Sequence, residues 1–528
     1  MQRAPRIVAS HPAIITILKA STALLALACI AGGPQPAFAQ QNGGGNNAAN
    51  TASLPAFAPG MIQHMQSMRR FPDPDRGAQP TPPVIPRFSL DGDAAGAVAT
   101  FQPGGATFTF NNAFFQNLGT NGRTCFTCHQ PQTGWGVSAA SVAARFAQSG
   151  GSDPIFRTVD GATCPSDNVA TLAAKRQAYA LLIDRGLIRI GLPMPASQTP
   201  PLTPAFEVTS VSDPYHCNTN VATGLTSKTT GIVSVYRRPL PSTNLGFLST
   251  IMWDGREPTL ASQATDATLG HAQAAAAPTQ AQIDAIVAFE SGLYTAQEID
   301  NRAGSLHGNG AMGGPVALSL VPFFIGINDP LGNNPHGTPF TSDIFDIYKP
   351  WLSTPGHGDT PRMRASIARG EEVFNNTNIN ITGVGGLNDV LNQPTIKGFC
   401  GTCHDTPNVG DHSVKAPLDI GIAGAGSGAP PALDVSRLPV FTITCTSGTL
   451  TGKIFTVTDP GRALISNNCA DIGKFKGPIL RGLASRAPYF HNGSAASLQD
   501  VVDFYDQRFH IGFTPQQKAD LVNFLNAL

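Results

Sequence analysis

The chain has 528 residues, which is long enough for two or more domains that each have a hydrophobic core. Lys and Arg together number 34, as do Asp and Glu, so the formal net charge is zero and neither a nucleic acid nor an anionic membrane is expected as the main partner. Charged residues make up only 13% of the chain, whereas 55 Gly and 44 Pro predict helices joined by long irregular segments.

The N-terminus has the pattern of an export signal. Three basic residues precede an apolar run over residues 20–32, which is shorter than the roughly 20 residues that a membrane span requires. A small-x-small triplet precedes Gln40, so we expect residues 1–39 to be a signal peptide and the mature protein to be periplasmic without a membrane anchor. Lipoprotein cleavage at Cys29 is the alternative, and it fits poorly because Leu27 stands where a small residue is preferred.

The segment after the signal has low complexity. Residues 40–60 are rich in Gly, Asn and Ala, a composition typical of disordered chain. A short helix over Met61–Arg70 and a proline-rich stretch follow. Residues 40–100 are therefore predicted to be a disordered leader and an N-terminal arm, and the globular part begins near residue 101.

One Cys-x-x-Cys-His motif stands in each half of the globular part. The motifs are Cys125-Phe126-Thr127-Cys128-His129 and Cys400-Gly401-Thr402-Cys403-His404. In this order two thiols can add to the vinyl groups of a haem, and the next histidine becomes the proximal ligand of its iron. A thioredoxin-like pair lacks a flanking βαβ pattern, and a zinc site would need thiols from both halves to converge. We therefore expect two covalently bound haems c.

The other cysteines are even in number once Cys29 leaves with the signal, as expected for disulfides in an oxidising compartment. The simplest pairing stays within each half of the chain. It joins Cys164 to Cys217 and Cys445 to Cys469, although the spacing alone does not fix this connectivity.

The sixth ligand of the second iron cannot be a methionine that follows the motif, because Met363 is the last methionine of the chain. The candidates after His404 are His412, His491, His510, Tyr489 and Tyr505. Tyr505 lies on a predicted helix from Ser497 to Tyr505 whose apolar residues share one face, which we expect to look into the haem pocket. The same pattern also fits an ordinary core tyrosine.

A faint repeat divides the globular part. Its copies are Thr279-x-x-Gln282 with Ile286, Val287 and Phe289, and Thr514-x-x-Gln517 with Leu521, Val522 and Phe524. Each copy predicts a capping box and a helix with one apolar face, C-terminal to a haem motif. We therefore predict a mainly α protein of two tandem cytochrome c-like domains, 101–290 and 291–528, with long loops and insertions.

Four features, in this order, resemble the bacterial di-haem cytochrome c peroxidases and the MauG proteins, and long rubber-oxygenase relatives share them. They are the first haem motif, then Met252-Trp253-Asp254-Gly255-Arg256 with Leu260 and Gln263, then the second haem motif, and then the run from Phe475-Lys476-Gly477-Pro478 through Leu480-Arg481 to Pro488-Tyr489-Phe490-His491-Asn492-Gly493, Leu498 and Val502. The resemblance covers most of the mature chain. It implies an N-terminal haem that reacts with peroxide and a C-terminal haem that stores or relays an oxidising equivalent.

The resemblance also implies roles for single residues. Trp253 matches the tryptophan between the two haems, and Gln263 matches the glutamine that lines the peroxide pocket. Tyr505 falls where the peroxidases have an axial Met and MauG has an axial Tyr, which favours it as the second ligand of the second iron; a phenolate would stabilise oxidised iron. A calcium ion between the haems would be held by backbone carbonyls, and Arg486 and Pro488 are its expected place.

The chain departs from the family at the distal site. The position of the catalytic glutamate is Gln273, and a glutamine cannot shuttle a proton. His271 is the nearest possible general base, although a structural or surface histidine fits equally well. Peroxidases have a distal histidine soon after the first motif, but none stands between His129 and His216, so the first iron is expected to be open, as in MauG. His491 is expected to pack near the haems without binding iron.

The interpretation is a hydrogen-peroxide-dependent di-haem oxidoreductase of the MauG type. Gln263, with His271 or Gln273, would assist cleavage of the peroxide O–O bond, and Trp253 would carry an oxidising equivalent to the second haem. The electron donor would be a small redox protein or a protein substrate. The alternatives are a conventional cytochrome c peroxidase with a small cytochrome as reductant, an oxygenase like the rubber-cleaving enzymes, and a non-enzymatic electron-transfer cytochrome.

Overall fold

Long irregular segments connect short helices and strands in the computed structural model, which describes residues 80–353 and 356–528. The predicted signal peptide, the leader and the short helix over Met61–Arg70 lie outside those residues. The helices are α1 (Ala139–Ser149), α2 (Leu172–Ala178), α3 (Ala180–Arg185), α4 (Leu260–Gly270), α5 (Gln280–Ser291), α6 (Gly314–Leu318), α7 (Asp359–Asn376), α8 (Ala463–Ser466), α9 (Leu498–Phe509) and α10 (Pro515–Asn526).

The strands form small antiparallel sheets. They are β1 (Val84–Ile85), β2 (Phe88–Gly92), β3 (Gly96–Phe101), β4 (Thr107–Phe108), β5 (Ile188–Pro193), β6 (Phe206–Ser212), β7 (Ile232–Arg237), β8 (Tyr294–Asp300), β9 (Gly304–Ser305), β10 (Ile379–Thr382), β11 (Thr395–Gly398), β12 (Val440–Cys445) and β13 (Ile454–Val457). Three pairs stand alone: β1 with β4, β5 with β7, and β10 with β11. The larger sheets have the orders β2-β3-β8-β9 and β13-β12-β6.

The expected mainly α architecture is therefore corrected to a mixed one, in which helices and strands both contribute. Many of the strands lie in the segments between a haem motif and its partner residues, which the sequence interpretation treated as loops. Strand β12 shows why they form, because its buried and part-exposed residues alternate with the two-residue period of a strand. Its apolar face belongs to a core that also includes residues of β6, β7 and α9.

Strand pairing connects the two predicted domains. Strand β6, from the segment after the first haem motif, pairs with β12, from the segment after the second. The disulfide Cys445–Cys469 ties the end of β12 to a neighbouring turn, and the disulfide Cys164–Cys217 lies in the first of these segments. The predicted domain boundary at residue 290 stays a prediction.

The two repeat helices have the predicted capping boxes. Thr279 and Gln282 form the box at the start of α5, and Thr514 and Gln517 form the one at the start of α10. Helix α9 also begins as predicted, after its N-cap Ser497, and continues past Tyr505 to Phe509. These helix starts are encoded locally, because the side-chain oxygen of the N-cap residue accepts a hydrogen bond from the backbone N–H three residues later, which has no partner within the helix.

The helices of the second half enclose their haem motif. Helices α7 and α10 cross closely at Gly370, where an added Cβ would lie 2.0 Å from the Asp520 carbonyl oxygen. Phe374 of α7 and Phe524 of α10 pack in one core that also contacts Cys400. Within the described residues, no helix is both long enough and apolar enough to cross a membrane.

Candidate functional site

Both Cys-x-x-Cys-His motifs fold into the same short 3-10 turn. Cys125–Thr127 and Cys400–Thr402 form these turns, and the backbone N–H of the following histidine donates to the carbonyl of the first cysteine in each, at 3.0 and 3.1 Å. A threonine side chain closes each turn onto the residue before it. The turn thereby brings the histidine next to the two thiols, as attachment of a haem requires.

The two motif histidines are oriented by backbone carbonyls. His129 Nδ1 lies 2.9 Å from the Trp135 carbonyl oxygen, and His404 Nδ1 lies 2.7 Å from that of Gly410. A carbonyl only accepts, so Nδ1 carries the proton and Nε2 is left with a lone pair. Burial lowers the pKa of His129 to about 4 and also lowers the pKa of His404, which keeps both rings neutral and able to bind a metal.

The four motif cysteines are free thiols. Burial raises the pKa of Cys400 and of Cys403 to about 12. A redox-active pair requires the opposite shift, because the thiolate is the reactive form. Within the described residues, no group of three or more His, Cys, Asp or Glu side chains could hold a metal ion, so the thiols do not converge on a zinc site either.

One continuous cavity is lined by both motifs. It is also lined by most of the other predicted site residues, namely Trp253, Gln263, His271, Tyr489, His491 and Tyr505. Its wall carries two buried guanidinium groups, those of Arg238 and Arg486, which have no carboxylate partner in the described chain. Burial lowers their pKa values to about 9 and about 10, and Arg238 Nε has no hydrogen-bond partner there. A haem carries two propionates, which would supply the missing negative charge, so the charge of this wall fits a haem.

Trp253 lies in the cavity wall and is fixed on two sides. Its Nε1 donates to the Arg238 carbonyl at 2.8 Å, and its carbonyl accepts from the Lys476 backbone N–H at 2.9 Å. The Lys476 Nζ lies 5.7 Å from the centre of the indole ring. Next along the chain, Asp254 forms a buried ion pair with Arg237, Nη1 to Oδ2, at 2.5 Å. The indole therefore has a single orientation.

Tyr505 is well placed among the candidate ligands. It packs in a core with Cys400 and Cys403, its ring stacks on Phe509, and nothing in residues 80–353 or 356–528 forms a hydrogen bond with its hydroxyl. Burial raises the pKa of this hydroxyl. Tyr489 differs, because its hydroxyl donates to the Leu483 carbonyl at 3.1 Å.

The histidine candidates occupy different surroundings. His412 lines the cavity and its Nδ1 lies 3.3 Å from Asp405 Oδ1, whereas His510 is the exposed C-cap of α9. His491 is buried and stacks on Phe475 with the ring centres 3.8 Å apart. Burial lowers the pKa of His491 to about 3, and neither of its ring nitrogens has a hydrogen-bond partner in the described residues.

Two of the three predicted distal residues line the cavity, and the third does not. Gln263 projects from α4, and His271 is the C-cap of that helix. Gln273 follows in a turn with a positive φ of 54°, which directs it to the surface, where its amide oxygen accepts from Asn121 Nδ2 at 3.3 Å. The residue at the position of the family glutamate therefore lies outside the cavity in this chain.

Three charged residues at the site were missed in the sequence. His271 Nδ1 lies 2.5 Å from Asp160 Oδ2, and Asp160 Oδ1 is paired with Arg123 Nη1 at 2.6 Å. Nothing local signals this contact, because Asp160 and His271 are 111 residues apart. Glu290 also lines the cavity; burial raises its pKa to about 7, and its Oε2 has no partner in the described chain. The sequence did contain a signal for Glu290, because this residue is a carboxylic acid next to the apolar residues of the repeat helix α5.

The expected calcium position has a cation beside it. The Arg486 carbonyl oxygen accepts a hydrogen bond from the Arg238 guanidinium. A positive side chain at that oxygen disfavours a calcium ion there, because the two charges repel.

No family model matches the chain. It is 36% identical to the cytochrome-c peroxidase IdrP2 of Denitromonas iodatirespirans over 146 residues, which is 25% of this chain and 37% of that protein. It is 41% identical to the cytochrome-c peroxidase IdrP1 of Pseudomonas sp. (strain SCT) over 81 residues, 13% of this chain and 21% of the relative. The chain therefore spans well under half the length of these relatives.

A solved structure, that of a MauG-like protein associated with microbial copper homeostasis, is 18% identical, with a TM-score of 0.29 over 55% of this chain and 73% of that one. The curated relatives confirm, at modest identity, the resemblance to the bacterial cytochrome c peroxidases.

Proposed function

We propose that this relative of the di-haem cytochrome c peroxidases is an exported enzyme that carries two covalent haems c and reacts with hydrogen peroxide in the manner of MauG. The observation that carries the proposal is the shared cavity, into which both motif histidines present an unprotonated Nε2 beside free thiols. When bound, the haems supply the redox chemistry toward peroxide. The chain supplies their ligands, the proton acceptors and an aromatic side chain between the motifs.

The first haem would be attached to Cys125 and Cys128, with His129 as the one protein ligand of its iron. Gln263 and His271 line the same cavity and are the groups that would face bound peroxide. The Gln263 amide can donate a hydrogen bond to an oxygen atom, and His271 can accept a proton. Gln273 has no part in this step because its side chain is exposed.

The second haem would be attached to Cys400 and Cys403, with His404 and Tyr505 as ligands. A phenolate ligand favours oxidised iron, which suits storage of an oxidising equivalent. Trp253 would relay that equivalent, since its indole lines the shared cavity and is held rigidly.

The wider setting follows from the sequence. Cleavage near Gln40 would release the protein into the periplasm, where disulfides such as Cys164–Cys217 persist. Each predicted domain, 101–290 and 291–528, would carry one haem. The electron donor would be a small redox protein or a protein substrate.

An EPR spectrum of the fully oxidised protein tests the coordination. We expect one high-spin and one low-spin haem, and we expect Tyr505→Phe to alter the low-spin signal alone, because the phenolic oxygen is lost from one iron. Tyr489→Phe is the matched control, since Tyr489 lines the same cavity with its hydroxyl on a carbonyl. Two low-spin signals in the unsubstituted protein would contradict an open first iron.

A conventional cytochrome c peroxidase is the second candidate, and the names of the curated relatives favour it. Such an enzyme takes electrons from a small cytochrome and needs a second haem of high reduction potential. Tyrosine ligation predicts a low potential instead. A potentiometric titration of the two haems therefore separates the candidates.

A further inference from the structure

We propose that Asp160 positions His271 as the general base of the peroxide site, in the role that the family gives to a glutamate. This inference rests on the proposed function and assigns its proton acceptor. Asp160 acts through His271, so it is a positioning residue, whereas His271 would touch the substrate. The two residues come from distant parts of the chain and meet at the end of α4.

The contact fixes the tautomer of the imidazole. Asp160 Oδ2 lies 2.5 Å from His271 Nδ1, and an ionised carboxylate only accepts hydrogen bonds. Nδ1 therefore carries the proton, and Nε2 is left unprotonated on a ring that lines the cavity. Asp160 is only 4% exposed, whereas the His271 side chain is 39% exposed, so the acid is rigid and the base is accessible.

Arg123 keeps the Asp160 carboxylate ionised and in place. Burial alone would raise the pKa of Asp160, but Arg123 and His271 outweigh it and the pKa is lowered. The guanidinium also donates to the carbonyls of Pro154 and Ile155, and at 3.3 Å to the carbonyl of His271. The side chain and the backbone of His271 are thus held by one network.

The network is built into the haem-binding segment. Arg123 stands two residues before Cys125, so the segment that would carry the first haem also carries the arginine that holds Asp160 in place. The charged or titratable groups that interact with His271 are Asp160, Arg123 and His129. Arg157 holds the carbonyl of Asn121, whose side-chain amide donates to the His271 carbonyl, and Cys128 and Tyr179 interact with Asp160. Asp160 is the one acid that contacts the ring in the described chain.

The assigned chemistry is a proton transfer. One oxygen of hydrogen peroxide would lose its proton to His271 Nε2. When the O–O bond breaks, with two electrons that the bound haems would supply, His271 would return the same proton to the departing oxygen, which leaves as water, so that His271 ends unchanged. The carboxylate stabilises the protonated ring between these steps, because it then faces a positive charge at hydrogen-bond distance.

A second histidine–carboxylate pair provides a matched control. His307 Nδ1 lies 2.6 Å from Glu298 Oε1, and Glu298 is as buried as Asp160. Neither His307 nor Glu298 lines the cavity. His307→Gln should therefore leave the peroxide reaction unchanged.

The test uses the haem-loaded protein and two readouts. The rate of the peroxide reaction and the rate of cyanide binding to the oxidised protein are measured against pH by stopped flow, since hydrogen cyanide also gives up a proton when it binds iron. We expect His271→Gln to lower both rates by about 10²-fold or more and to abolish the acid-side inflection of the pH profile. Asp160→Asn should lower both rates and change the pH profile, because an amide carries no charge to stabilise the protonated ring.

The outcomes separate this inference from the proposed function. If peroxide reacts rapidly with the unsubstituted protein and His271→Gln changes neither rate nor inflection, the base is elsewhere while the peroxidase function stands. If the unsubstituted protein shows only low-spin haem and His271→Gln creates a high-spin signal, His271 is an iron ligand and the inference is overturned. If Asp160→Asn fails to bind haem, the test rests on His271→Gln, which should still fold because the His271 side chain is partly exposed.

Discussion

Serine substitution of both Cys125 and Cys128 is expected to leave a chain with one covalent haem instead of two. The physical reason is that each thioether bond requires its own thiol, and these two thiols line the cavity together. Serine at Cys400 and Cys403 should likewise remove the other haem, and all four substitutions together should remove both. The ratio of haem to protein, measured as pyridine haemochrome on denatured protein, checks the count.

The disulfide cysteines are the matched control for this experiment. Serine at Cys164 and Cys217 removes two sulfur atoms from the same half of the chain, and neither of these cysteines lines the cavity. That variant should keep both haems and lose stability. A four-serine variant that still binds covalent haem, or an unsubstituted protein without any, would refute the reading of the two motifs.

Features encoded over a few residues could be predicted from the sequence. The haem turns, the capping boxes of the two repeat helices and the start of α9 after Ser497 depend on contacts between residues three or four apart. Such contacts are fixed by residue type and spacing, so one sequence suffices to find them.

Features that depend on distant partners could not be predicted. Strand β12 alternates apolar and polar residues, but only its pairing with β6 makes it part of a sheet. The contact between Asp160 and His271 has no sequence signature at all, since an aspartate in an insertion can lie anywhere on the surface. Matching by position also cannot see that the chain turns just after α4 ends, at a positive φ, and leaves the Gln273 side chain exposed.

Replacement of Asp254 by Asn is expected to lower the free energy of unfolding by about 3–5 kcal/mol, the usual cost of removing one partner from a buried ion pair. Asp254 is fully buried and pairs with Arg237 and Arg256; Arg237, which is also buried, pairs with Asp459 at 2.7 Å as well. The substitution leaves a buried guanidinium with less negative charge around it. Urea unfolding at neutral pH, followed by circular dichroism, measures the difference.

The pH dependence of that difference identifies its cause. Burial would raise the pKa of Asp254, but Arg237 and Arg256 outweigh it and hold the pKa below its ordinary value of 3.8. The stabilisation by the carboxylate is therefore present above that value and is lost as the pH falls through the lower folded-state pKa, where the unsubstituted protein becomes as neutral at this position as the variant. Asp359→Asn, which removes an exposed ion pair with Arg362, should change the stability by no more than about 0.5 kcal/mol.

The substitution should also affect Trp253, because the buried ion pairs of Arg237 and Asp254 lie next to Arg238, which binds the indole N–H, and next to Trp253 itself. Arg237 ends β7, and the next residue, Arg238, provides the carbonyl that accepts from the indole N–H. Asp254 follows Trp253 directly, so its ion pair ties the tryptophan turn to that strand. If Asp254→Asn were as stable as the unsubstituted protein at neutral pH, the cluster would not hold this turn, and the orientation of Trp253 would depend only on its contacts with Arg238 and Lys476.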